Sequence, residues 1–147
     1  MSKEPNLTIS ILVDNSAAEV YKAINNARDW WQGEFTGRTD VLNEEFEYRV
    51  EGVHFSKQKV IELTPNKRVV WLITDSNLSF VEIKDEWTGT RIHFDISTEN
   101  GKTKLTFTHK GLVPSFQCYE ACSGAWGMLI AKSLFSYITT GKGVKLF

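Results

Sequence analysis

Residues 114–143 read PSFQCYEACSGAWGMLIAKSLFSYITTGKG. Tyr119, Cys122, Trp126, Leu129, Ile130, Ser133 and Tyr137 recur three or four apart. That spacing places them on one face of an α-helix lying over a core. Pro114 suits a first turn and Ser115 can cap it. Gly141 and Gly143 supply the stop, with Lys142 at the negative helix end. Nearly everything upstream reads as strand. The predicted fold class is therefore α+β: a curved antiparallel sheet wrapped around one long C-terminal helix.

The upstream pattern is consistent with this. Leu7, Ile9, Ile11 and Val13 alternate with Thr8 and Ser10, a half-buried strand with an exception at Leu12. Ser16 followed by Glu19 is a capping box, and Val20, Tyr21, Ile24 and Ala27 recur at helical spacing. A short helix is expected over about 17–26, with a second turn over 28–31. Gly33 to Thr39 can hold a short strand. Phe46, Tyr48 and Val50 alternate with charged residues, and Gly52 permits a hairpin into 54–63. That strand has conflicting parities, which require either a bulge or inward-facing polar groups. Pro65-Asn66-Lys67 is a turn, and 68–74 is apolar enough to be covered on both faces. Asp75-Ser76-Asn77 breaks the pattern. Ile92, Phe94 and Ile96 alternate with Arg91, His93 and Asp95, which puts His93 in solvent. Asn100-Gly101 signals a type I′ hairpin. In the returning strand His109 shares the apolar parity with Leu105 and Phe107. The order is strand, helix, about six strands, long helix. No repeat or linker marks a second domain, so residues 1–147 are expected to form one.

Lys and Arg total 17 against 18 Asp and Glu, a formal charge of −1, without a basic run. This excludes general nucleic-acid affinity. The N-terminal MSKEPNLTIS lacks the apolar core of a signal peptide, and no apolar run approaches the roughly 20 residues of a membrane span. The sequence is read as that of a cytoplasmic protein with no membrane insertion. Cys118 and Cys122 lie one helical turn apart; without further ligands nearby they are expected as reduced, buried thiols, and neither metal nor cofactor is expected. Five Trp, nine Phe and four Tyr fit either a ring-rich core or an aromatic-lined pocket. Trp30 and Trp31 cannot both face one way on a regular element, so one is expected inward and the other over an edge or a mouth.

Several blocks together resemble a known family. They are Asn25-Asn26 with Trp30-Trp31-Gln32-Gly33, 55–59 (FSKQK), Val70-Trp71-Leu72, 86–90 (EWTGT), 109–114 (HKGLVP), and Ala125-Trp126-Gly127 with Ser133-Leu134 and 138–143 (ITTGKG). In order and over nearly the whole chain, these are similar to the AHSA-like branch of the SRPBCC (START-like, helix-grip) superfamily, named after the activator of the Hsp90 chaperone ATPase. The resemblance implies a helix-grip fold whose internal cavity, in many relatives, takes lipids, polyketides or other apolar molecules.

Three functions follow in order. The first is binding of a small lipid-like, polyketide-like or aromatic molecule between sheet and helix. Trp71, Phe94, Phe107, His109, Tyr119 and Trp126 would line the cavity. Tyr48 would stand near its mouth, Trp30 or Trp31 at the entrance, and Glu86 would orient the ligand or anchor a turn. The second is a co-chaperone or stress-response interaction protein. The third is a cyclase- or hydrolase-like enzyme using His109 with Glu86, Glu62 or Tyr48. No nucleophile, phosphate-loop or zinc motif is present, so no catalytic set is assigned. A monomer or weak dimer is expected. Ser123, Gly124 and Gly127 beside Trp126 suggest room between Trp126 and Trp71.

Overall fold

Ser16 and Glu19 close the reciprocal cap that their spacing predicts. The Glu19 N–H donates to Ser16 Oγ at 3.2 Å, and the Ser16 N–H donates to Glu19 Oε1 at 3.0 Å. The computed structural model describes residues 5–31 and 33–144. The cap opens helix α1, Ala17–Asn25, which follows strand β1, Leu7–Val13. A single 3-10 turn, Ala27–Asp29, comes next. The remaining strands are β2 Glu34–Thr36, β3 Glu45–Val50, β4 His54–Thr64, β5 Arg68–Leu78, β6 Arg91–Glu99 and β7 Lys102–Lys110. They form an antiparallel sheet in the order β1-β7-β6-β5-β4-β3-β2. Because β1 and β2 lie on opposite edges, α1 must cross the open face. Asn100 and Gly101 both take positive φ, 52° and 79°, as the expected two-residue hairpin requires.

Strand β5 runs four residues past the expected stop at Thr74. Asp75, Ser76, Asn77 and Leu78 pair with Lys57, Ser56, Phe55 and His54. Two bulges make this possible. Thr74 on β5 and Ile61 on β4 have no partner across the ladder. The Thr74 bulge shifts the inward parity of β5 from Val69, Trp71 and Ile73 to Ser76 and Leu78. On β4 the inward residues are Ser56, Gln58 and Val60, all fully buried. Both resolutions of the β4 conflict therefore occur: a bulge and inward polar groups. Val70 is buried while Leu72 is only half-buried, so the second face of β5 is covered in part.

The C-terminal helix starts later than its periodicity indicates, at Tyr119 rather than near Ser115, and ends at Thr140 with Gly141 left-handed at φ 84°. It is 22 residues long and has three parts: α2 (Tyr119–Met128), a π-helical turn over Leu129–Leu134, and α3 (Phe135–Thr140). The wide π turn lets Leu129, Ile130, Ser133 and Leu134 all face inward. Ser133 Oγ donates to the Trp30 carbonyl at 2.6 Å and accepts from the Val144 N–H at 3.1 Å, tying the helix to the 3-10 turn. The core lies between the helices and the inward sheet face. There Phe94 and Phe107, cross-strand partners, meet Trp30 and Trp126 respectively. Among the described residues no helix is long and apolar enough to cross a membrane.

Gly124 lies in α2, and a Cβ built there meets nothing within 4 Å. Gly124→Ala is expected to stabilise the protein by about 0.5–1 kcal/mol, read as a higher urea midpoint with unchanged slope. A lower midpoint would mean that the glycine carries a conformation or contact beyond the helix.

Candidate functional site: an apolar cleft beside the C-terminal helix

Trp30 and Trp31 leave the 3-10 turn side by side, their rings stacked with centroids 6.0 Å apart. Both are buried, Trp30 in the core and Trp31 against an open cleft, and the backbone at Trp30 between them is neither helical nor extended (φ −128°, ψ −21°). Trp30 is sealed in the core, its Nε1–H donating to the Ala23 carbonyl at 3.0 Å. Trp31 inserts between three rings: Tyr48 at 4.2 Å, Trp126 at 5.0 Å and Trp71 at 6.1 Å. The room expected between Trp126 and Trp71 is thus filled by an indole. Gly33, with φ 133°, allows the Tyr48 ring to lie against the backbone, where any Cβ would collide with it.

The open space lies on the other side of Trp31. A cleft of about 520 Å³ runs between α2 and the β3–β4 end of the sheet. Trp31, Tyr48, Trp87 and Trp126 provide its aromatic walls, and Val50, Val53 and His54 its sheet side. Ala121, Cys122 and Ala125, with Leu129, form the helix side. The small side chains that make room are therefore these, not Gly124 and Gly127, whose Cα positions face open space. Phe80, 47% exposed, and Val53, 46% exposed, stand on the rim where the cleft meets solvent.

Of the residues expected to form the site, Trp31, Tyr48 and Trp126 line this cleft. Trp30, Trp71, Phe94 and Phe107 are fully buried in the core behind it. Tyr119 is half-buried and outside the lining. Glu86 acts away from the cleft. Its carboxylate accepts the Gln117 N–H at 2.7 Å and the Cys118 N–H at 3.1 Å. The helix N-cap position is Cys118 rather than Ser115, and Glu86 satisfies its amide, one that the helix itself cannot. Ile83 N–H donates to Gln117 Oε1 at 2.8 Å alongside.

His109 is fully buried behind Trp126. The Trp126 indole N–H can only donate, so His109 Nδ1 accepts it at 3.1 Å. The ring proton therefore sits on Nε2 and is donated to Thr90 Oγ1 at 2.8 Å; Thr90 in turn donates to the Trp87 carbonyl at 2.6 Å. Burial, with His54 as a smaller cause, pushes the His109 pKa down to about 3. With both nitrogens engaged and none of Glu86, Glu62 or Tyr48 bonded to it, His109 is a structural link rather than a base.

The polar group that does reach the cleft is His54, on the strand whose two parities the sequence pattern leaves in conflict. Its ring meets Trp87 edge-on at 4.7 Å and Tyr48 at 5.2 Å, and burial pushes its pKa down to about 4. His54 Nε2 lies 3.0 Å from Ser56 Oγ, which accepts the Gln58 amide N–H at 3.0 Å. With the ring hydrogen on Nδ1, Ser56 Oγ donates to His54 Nε2; with it on Nε2, the ring donates to Ser56. His54 and the Trp87 indole N–H, which is buried without a hydrogen-bond partner, are polar groups in a largely apolar wall. His93, expected in solvent, is half-buried on the outer sheet face, its Nε2 lacking a partner. Cys118 and Cys122 are buried free thiols. Among the described residues no three of His, Cys, Asp and Glu gather as a metal site would require.

The family model described as Activator of Hsp90 ATPase homolog 1-like protein matches residues 14–139. Comparison with curated proteins finds no match. Among solved structures, the Aha1 dimer from Colwellia psychrerythraea is 25% identical, superposes with a TM-score of 0.75, and aligns over 95% of this chain and 99% of its own. Protein MLL2253 from Mesorhizobium loti is 12% identical, with a TM-score of 0.73 over 95% of this chain and 100% of that one. CalU16 from Micromonospora echinospora is 17% identical, with a TM-score of 0.62 over 91% and 76%. The last two share the fold.

Proposed function

The chain belongs to the family of activator of Hsp90 ATPase homolog 1-like proteins, and on that premise we propose that it binds a small apolar molecule, lipid-like, polyketide-like or aromatic, in the cleft beside α2. One observation carries this reading: the cleft stays open although the chain has rings enough to fill it. Its volume of about 520 Å³ lies within the range of about 300–1,000 Å³ usual for small-molecule sites. The walls suit a flat apolar body. The His54 imidazole, with its hydrogen on Nδ1, suits one hydrogen-bond acceptor on that body, such as a carbonyl or ether oxygen.

Uptake of the neutral fluorescent probe N-phenyl-1-naphthylamine tests the reading. Binding is expected to brighten the probe, quench tryptophan emission, and raise Tm because the ligand stabilises the native state. Ala125 is exposed and lines the cleft, so Ala125→Trp plugs it without disturbing the core. That variant is expected to lose uptake. Equal uptake by Ala125→Trp, or none by the wild type, overturns the reading.

A partner-protein role, with a chaperone or a second copy of the chain, is supported by the half-exposed rim formed by Val53 and Phe80 and by the dimeric state of the Colwellia relative. If the probe is not taken up while the protein sediments as a dimer, this reading takes the first one's place.

A further inference from the structure

Cys122 is the cysteine in the wall of the cleft. We propose that Cys122 captures apolar α,β-unsaturated carbonyl compounds covalently, as a thioether formed inside the cleft. This rests on the binding reading above and names the reactive class within it.

Four features converge on that thiol. Cys118, the N-cap residue of α2, sits one turn earlier and is also buried, and the two thiols are hydrogen-bonded to each other. The neighbouring Cys118 thiol favours the Cys122 thiolate and holds Cys122 below the ordinary thiol range, against the opposing effects of burial and the Glu86 carboxylate. Within the pair the proton stays with Cys118, whose own ionisation is pushed up, first by its hydrogen bond to Cys122 and then by burial. The Trp87 indole N–H is buried without an aligned partner and lies on the thiolate-stabilising side of both sulfurs. Finally, His54 shares the cleft, and in the tautomer where Ser56 donates to Nε2 its Nδ1–H is the donor a carbonyl oxygen would take. The thiolate is the reacting form of a cysteine, and an apolar cleft concentrates the partner beside it.

The step balances without a co-reactant. The Cys122 sulfur pair forms a C–S bond to the β-carbon. The C=C π pair moves to the α-carbon through an enolate whose oxygen is held by the His54 N–H. The thiol proton then completes the α-carbon. Nothing is oxidised and nothing leaves.

The experiment compares trans-chalcone, an apolar enone, with dihydrochalcone, its saturated counterpart, on the full chain. Intact-mass measurement and peptide mapping follow chalcone addition; tryptophan quenching follows dihydrochalcone binding. One chalcone per chain is expected, mapped to Cys122 and formed faster than on N-acetylcysteine at the same pH. Cys122→Ser and Cys122→Ala should lose the adduct and keep dihydrochalcone binding. Cys118→Ser should slow the adduct without moving it, since each unit by which the Cys122 pKa climbs costs about threefold in rate after the gain in nucleophilicity. An adduct on Cys118, or a rate no faster than the free thiol, overturns the proposal. Dihydrochalcone binding with no chalcone adduct overturns it while leaving the binding reading intact; neither binding nor adduct overturns both.

Discussion

Replacing Trp31 by alanine is expected to cost about 3–5 kcal/mol of stability, the range for emptying a large buried aromatic site. The ring touches Tyr48, Phe35, Trp71 and Trp126, each from a different element. No neighbour can swing in to replace it: Trp71 is pinned by Phe46 and Phe94, and Trp126 by its hydrogen bond to His109. For a chain of this length the loss corresponds to a Tm lower by on the order of 10 °C. The binding consequence is separate. Trp31 is both the floor of the cleft and the spacer between it and the core, so Trp31→Ala should merge cleft and cavity and abolish selectivity for flat ligands. Trp31→Phe should recover most of the stability. Urea unfolding of both variants decides the matter, and a loss below about 1 kcal/mol for the alanine variant would show that the indole is not the central spacer.

The second large effect is acid sensitivity. His54 and His109 are held neutral in the fold with pKa values near 4 and 3, both lowered first by burial. In the unfolded chain each titrates near about 6.5. Their folded values are depressed, so the stability they permit is fully present above the unfolded value and is lost as pH falls towards the folded one. Between pH of about 6.5 and 4 the unfolded state binds more protons, and stability should fall by about 1.4 kcal/mol per pH unit for each histidine. While both titrate the slope is about double. Urea midpoints across this range, at fixed ionic strength, measure it. His54→Gln should remove about 1.4 kcal/mol per pH unit from the slope, leaving the part due to His109 and to His93, which burial also pushes down. A flat profile from pH 6.5 to 4.5 would show that neither ring is held neutral by the fold.

Much of the architecture is written locally. The Ser16–Glu19 cap, the Asn100-Gly101 turn and the apolar face of the last helix each depend on residues within one turn or hairpin, and each stands where its pattern indicates. The cleft is less legible, because its residues arrive by non-local means. Two bulges, at Thr74 and Ile61, decide which parity of β4 and β5 turns inward, and no periodicity marks them. His54 shares its β4 parity with Val60 but also with Ser56, Gln58 and Glu62, so the pattern alone does not decide that it faces Tyr48 and Trp87. Trp87 itself sits in what reads as a turn. The helix start follows Glu86, which is 32 residues from the amide of Cys118 that it satisfies. His109 is legible as an inward residue, but its role is not, since that is set by the Trp126 and Thr90 atoms it meets. The aromatic excess holds both explanations at once: Trp30, Trp71, Phe94 and Phe107 fill the core, while Trp31, Tyr48, Trp87 and Trp126 line the opening.

The bonds from Glu86 and Ile83 to the head of the C-terminal helix have a mechanical meaning. The segment between β5 and β6 carries Phe80 and Trp87 on one jaw of the cleft, and the helix carries Cys122 and Trp126 on the other. Three hydrogen bonds rivet the jaws together at Gln117 and Cys118. Widening on that side would break all three, two of them to a charged carboxylate and each worth about 1.5–3 kcal/mol. The β3–β4 turn is fastened to the same segment from its other end: the Ser79 N–H donates to the Val53 carbonyl at 3.0 Å, and Ser79 Oγ donates to the Gly52 carbonyl at 2.7 Å. The segment between β5 and β6 is therefore a strap pinned at both ends, and a guest too large for the resting gap has to break bonds at one of them.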